Sequence, residues 1–383
     1  MRGVWLFCLL FLLQMSSPAL AAPPSWEEEL SRLELGRVEA EASRLQQELH
    51  SLAPSTDFRR LVRDIIQGKL ELTPSSLFSA LGRCLGQEIW QGGSLLGKLL
   101  VLGIVLAVLQ QLGTAFEQGT VVRLGFAVCF LALAATVAST LELALRIGRQ
   151  TVEGVVSFLQ ALFPVLLTLL AATGGMGAAA LVHPTILLTL EVVGTLVKNV
   201  VFPLLVFSVI LSLVNQLSEA LPVSRLAALF RHAGLALLGI CSTILLGIMG
   251  LQGVTGAVSG GLALRAAKYA TGAFIPVAGS MLADAFEAVL STSLLLKSAV
   301  GLAGMLVVLG AVAFPAVKLG ALSLLFKLAA ASVQPVEGRL AACLDAVGAG
   351  LLGIFAVVVL VGLLALFSIG LVTGLAHLTT SLR

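Results

Sequence analysis

Few residues in this chain have the types and spacing that chemistry needs. Gly92-Gly93-Ser94-Leu95-Leu96-Gly97-Lys98 copies the spacing of a phosphate-binding loop, but Leu99 stands where a magnesium-holding Ser or Thr belongs and no strand precedes it. Lys98 reads better as a snorkelling side chain at the end of a span. The four histidines, His50, His183, His232 and His377, have no second His at i+4 and no adjacent Glu. No nucleophile elbow and no carboxylate pair in a cleft outside the membrane accompany them. The sequence therefore predicts no enzyme activity, no cofactor and no metal site. His183-Pro184, beside a glycine-rich break, reads either as a polar site or as a capped helix start or kink.

The stretch 252–301 is different. On a helix Arg265 shares a face with Lys268 and Tyr269, the one tyrosine of the chain, and Asp284 shares one with Glu287. Between them lie Phe274-Ile275-Pro276-Val277 and Gly279. A short basic-aromatic helix followed by a Pro-Gly turn can lie in the membrane interface or re-enter toward a cavity. Lys297 sits about ten residues into an apolar run, where an unpaired charge costs roughly 3 kcal/mol or more. It calls for a carboxylate, with Asp284, Glu287 and Glu191 as candidates. Such a pair either fixes helix packing or marks a polar pathway.

The elements that must position these residues are set by composition. Of 383 residues 58% are hydrophobic and 11% charged, and the mean hydropathy is +1.06. Soluble domains carry about 25% charged residues, so lipid is the solvent for most of this chain. Residues 23–94 hold 8 Lys/Arg against 11 Asp/Glu, and residues 95–383 hold 14 against 9. A small positive excess scattered over loops is no nucleic-acid footprint.

Three parts follow: a signal peptide over 1–21, an extracytoplasmic helical domain over 22–94 and a polytopic transmembrane domain over 95–383. Arg2, the apolar run Val4–Leu13 and Ala19-Leu20-Ala21 form the signal pattern; an uncleaved anchor is the alternative. In the second part, Ser25 with Glu28 matches a capping box, and Leu35, Val38, Ala42 and Leu45 line one helix face. Phe58, Leu61, Val62 and Ile65 form a second stripe. These stripes close a mini-bundle on itself or dock a partner.

Spans are read near 95–113, 121–141, 155–173, 194–214, 234–251, 288–312 and 347–371, with 177–191 and 315–330 as full spans, half-helices or interfacial helices. The fold class is all-α, a polytopic α-helical membrane protein of about seven spans. Arg225 and Arg231 place the 215–233 loop in the cytoplasm. Pro164, Pro184, Pro203, Pro276 and Pro315 interrupt apolar stretches, and Thr173-Gly174-Gly175-Met176-Gly177 breaks one. Gly93/Gly97, Gly256/Gly260 and Gly370/Gly374 fit the small-residue spacing of packed helices. Cys84, Cys129, Cys241 and Cys343 have no metal or redox spacing and read as small apolar packing residues.

Arg265-Ala266-Ala267-Lys268-Tyr269, then Phe274-Ile275-Pro276-Val277-Ala278-Gly279, then Leu294–Gly301 around Lys297, resemble stage III sporulation protein AE of endospore-forming bacteria. Leu162-Phe163-Pro164-Val165-Leu166 running into Thr173-Gly174-Gly175, with His183-Pro184 after it, is similar to the same family. The resemblance implies a permease-like membrane subunit of a mother-cell complex that meets a forespore membrane partner across two membranes. It further implies a channel or feeding conduit that supports late forespore gene expression under sigma factor G. Its partners would be other stage III sporulation subunits and the lipid bilayer, with room for a homo-oligomer. The resemblance carries over no catalytic residues. A stand-alone secondary transporter and a purely structural scaffold are the other readings.

Overall fold

The computed structural model describes residues 26–48, 57–69, 74–115, 120–173, 176–217, 223–274, 279–336 and 338–381. Side chains within 252–289 and 375–383, and within short stretches at other helix ends, lie outside the described set. The chain is all α-helical there. Four short helices, α1 (Trp26–Arg32), α2 (Gly36–Glu48), α3 (Phe58–Ile66) and α4 (Pro74–Gln91), lead into α5 (Gly93–Ala115) and the long α6 (Thr120–Ala172). Next come α7 (Met176–Leu196), a π-helical turn (Val197–Val201) and α8 (Phe202–Leu217). The last three helices, α9 (Ser224–Phe274), α10 (Gly279–Val333) and α11 (Gly338–Ser381), are all long.

Among the described residues, five helical stretches are long and apolar enough to cross a membrane, or six with α4 and α5 taken as one span bent by 43°. The polytopic all-α expectation holds, but the stretches read as separate spans are fused. Those at 121–141 and 155–173 both lie on α6, and those at 288–312 and 315–330 both lie on α10. The charged segment between the first pair, Glu142 to Glu153, is rich in Ala, Leu, Arg and Gln, which favour helix, so nothing in it stops the winding. Pro164 and Pro315 sit inside unbroken helices. Pro203 acts on its surroundings instead. A proline ring collides with the carbonyl of residue i−4, and the wider π turn lies immediately before it, with the Phe202 N–H donating to the Val197 carbonyl.

Helices α6, α9, α10 and α11 contain 53, 51, 55 and 44 residues. At 1.5 Å per residue they are roughly 66–83 Å long, against about 30 Å of hydrocarbon in a bilayer. The bundle therefore extends well beyond the apolar layer.

Glycines set the register of these rods. Gly301 lies against Thr373, and a methyl placed on Gly362 would fall 2.7 and 2.8 Å from the two γ-carbons of Val312, so α10 and α11 run antiparallel. Gly148 faces Ile354 at one level and Gly304 faces Leu162 at another, which makes α6 parallel to α11 and antiparallel to α10. Around this trio the core is filled by Phe130, Phe158, Phe163, Phe202 and Phe326, all fully buried.

The polar amino-terminal helices lie on the bundle. The stripe Leu35, Val38, Ala42 and Leu45 is buried, and Leu45 packs at Gly154 of α6. Phe58 of α3 meets Phe158 edge-on at 6.3 Å. An Arg59–Glu39 ion pair at 2.7 Å ties α3 to α2. The stripes thus close neither wholly on one another nor on a missing partner; α6 and α10 cover them.

Candidate functional site

Two places gather charge. The first is Lys297 on α10, which is completely buried, with no hydrogen-bond partner for its Nζ. Register explains the burial. Gly304 meets Leu162, and moving seven residues toward the start of α10 brings Lys297 level with Leu169 in the last turns of α6. One turn before Lys297 on the same face, Ser293 is also fully buried, and its Oγ donates to Glu29 Oε1 of α1 at 2.8 Å. The other oxygen, Glu29 Oε2, is buried without a partner.

Among the described residues, the carboxylate that Ser293 holds one turn before Lys297 comes from the amino-terminal segment. Glu191, one of the expected counter-charges, is exposed on α7 and lines a different cleft. The side chains of Asp284 and Glu287 lie outside the described residues, as do those of Arg265, Lys268 and Tyr269. The backbone places the last three on α9, which is continuous from Ser224 to Phe274, so no separate short helix carries them. Pro276 lies outside the described residues, and Gly279 is the first residue of α10. His183 is exposed, and Pro184 sits inside α7, which begins at Met176, so the pair starts no helix.

The second place is a cleft of about 230 Å³ between α6 and α7, floored by Val152, Val156, Leu190 and Phe202. Glu153 and Lys198 pair across it at 2.6 Å, each about half exposed. Arg149 and Glu191 line the same cleft, together with Ser157, Thr195 and Asn199. Lys198 and Asn199 belong to the π turn, whose extra residue turns them toward α6. Sequence reasoning missed every member of this cleft except Glu191. The available signal was Pro203, four and five residues after two polar residues in an apolar run.

The chemistry of these places is electrostatic. Among the described residues no group of three or more His, Cys, Asp or Glu side chains gathers as metal ligands would. A buried ammonium and a half-buried carboxylate at a helix interface can hold helices, a water or an ion.

The family model for stage III sporulation protein AE matches residues 56–376. A protein of Bacillus subtilis (strain 168) described as stage III sporulation protein AE is 36% identical over 336 residues, which cover 88% of this chain and 84% of that protein. No solved structure matches.

Proposed function

The chain belongs to the stage III sporulation protein AE family, and from that premise we propose that it is the polytopic membrane subunit of a sporulation complex in the mother-cell membrane around the forespore. In this reading the complex forms a channel or secretion-like conduit, and late forespore gene expression under sigma factor G depends on it. The chain performs no catalysis. A signal peptide exports residues 22–94, which meet other stage III subunits and, through them, a forespore membrane partner.

One observation carries the reading furthest: helices of roughly 66–83 Å are far longer than a bilayer is thick. A protein that only sealed or anchored would need about 20 residues per span. Extra helix length gives the bundle walls outside the lipid against which other subunits can assemble. Apolar side chains such as Ile240, Ile244, Leu302 and Leu309 are exposed on the apolar stretches themselves, where lipid or a neighbouring subunit would cover them.

A second reading, a secondary transporter, draws on the charged cleft at Arg149, Glu153, Glu191 and Lys198, since charges within apolar helices commonly mark a solute path. Gene deletion in a tractable spore-forming host separates the two. Arrest after engulfment, with forespore reporters silent and vegetative growth normal, is the result expected for the complex subunit. Normal spores with a nutrient or efflux defect would replace it with the transporter.

A further inference from the structure

We propose that Glu29 is the counter-charge of Lys297, and that this pair is a lock holding the polar amino-terminal helices on the membrane bundle. The inference stands on the side-chain geometry alone and is independent of the role proposed above.

Two oppositely charged groups are each left with a buried atom unsatisfied, Nζ of Lys297 and Oε2 of Glu29. Isolated buried charges are costly, so finding two of opposite sign near each other points to each as the other's remedy. Ser293 measures how near they are. Its hydroxyl donates to the other oxygen of the same Glu29 carboxylate at 2.8 Å. On a helix, residues i and i+4 have Cβ atoms about 5–6 Å apart, so Ser293 and Lys297 are surface neighbours.

Direction agrees with distance. Side chains on a helix lean toward its amino terminus, and a long one covers the turn before its own Cα. The lysine stem of Lys297 therefore points along α10 toward Ser293 and the carboxylate docked there. Nζ and the carboxylate make no direct contact in this structure, and rotation of the stem or a bridging water is required to close the pair. Ser293 has the role of a positioning residue that fixes the carboxylate for the ammonium.

The lock joins segments 264 residues apart in sequence at the Ser293 contact. It lies at one end of the seam along which α1, α2 and α3 rest on α6 and α10. Further along, Leu45 at Gly154 and the Phe58–Phe158 contact hold by apolar packing alone. Losing the charged end should free the segment from the seam while the bundle itself, built from α6, α10 and α11, stays assembled.

The test uses the full chain in its own membrane, with native cysteines replaced and Leu45→Cys and Gly154→Cys introduced as a disulfide reporter of docking. The parent should cross-link efficiently. Glu29→Gln, which keeps shape and removes charge, should lower the cross-linked fraction several-fold, and Lys297→Met should do the same in whatever protein accumulates. The exchange Glu29→Lys with Lys297→Glu should restore cross-linking toward the parent level. Where Lys297→Met fails to accumulate, Glu29→Gln alone decides. Unchanged cross-linking in Glu29→Gln overturns the proposal, as does an exchange variant no better than the single ones. A parent that does not cross-link overturns the docking itself.

Discussion

Replacing Gly362 by alanine tests the packing of α10 on α11 with the least chemistry. The added methyl would meet Val312 Cγ1 at 2.7 Å, Cγ2 at 2.8 Å and Cβ at 3.1 Å. Rotation about χ1 moves the γ-carbons of valine but leaves Cβ in place, so the side chain cannot turn out of the way. Carbon atoms pack best about 3.5–4.0 Å apart, so the two helices must separate by roughly 0.7–1 Å. A gap of that size forfeits about a quarter to a half of the dispersion energy of the contacts it opens. Overpacking usually costs about 1–3 kcal/mol, and the better helix propensity of alanine returns about 1 kcal/mol. The expected net loss is therefore about 0–2 kcal/mol. Gly374 on the same helix has nothing within 4 Å of its Cβ position, so Gly374→Ala should gain about 0.5–1 kcal/mol. Thermal unfolding of the purified protein in detergent should rank Gly374→Ala highest, then the parent, then Gly362→Ala. Adding Val312→Ala to Gly362→Ala should recover part of the loss, a coupling readable as a double-mutant cycle. If Gly362→Ala unfolds above the parent temperature, as Gly374→Ala should, the close approach of α10 and α11 is wrong.

Other outcomes follow from the same contacts. Glu153→Gln breaks an ion pair whose members are 54–55% exposed, so unfolding in detergent should shift by less than about 1 kcal/mol; a larger loss would mean the cleft is sealed in the assembled protein. Arg44→Cys, at a side chain 76% exposed on α2, should react with a membrane-impermeant maleimide from outside intact cells, and protection there would reverse the assigned orientation. Gly103→Leu should lower accumulation in the membrane, because a Cβ there already lies 2.7 Å from Val333 Cγ2; normal accumulation would refute the α5–α10 contact.

How much of this was legible depends on whether a feature is local. Apolar composition dictates helices, and Lys297 in an apolar run announces a buried charge. Its neighbouring carboxylate could not be read, since Glu29 lies in the polar segment and only the folded chain brings it to Ser293. Span boundaries were misjudged at 142–154 because a charged stretch ends hydropathy without ending a helix; Arg146 and Glu142 merely pair at 2.6 Å on its exposed face. Glycine spacing alone says little, because 39 glycines produce such pairs by chance, and the surroundings of Gly256 and Gly260 lie outside the described residues. Gly93, Gly97 and Gly374 meet nothing within 4 Å, whereas Gly301, Gly304, Gly350, Gly353 and Gly362 carry the close approaches. Which glycines matter is set by the register of distant helices, and a spacing rule does not contain it.

The length of α6, α10 and α11 has a mechanical consequence. α6 and α10 run on through Pro164 and Pro315 without a loop, so a push at one end reaches the other along continuous helix. For a rod of roughly 80 Å, a tilt of about 5° displaces the far end by about 7 Å, more than one full turn of helix. Because α6, α10 and α11 are pinned to each other at glycines along their length, they must lean together. A force applied to the bundle on one side of the membrane would then be felt as movement on the other, with the docked amino-terminal helices carried along as cargo on the lever.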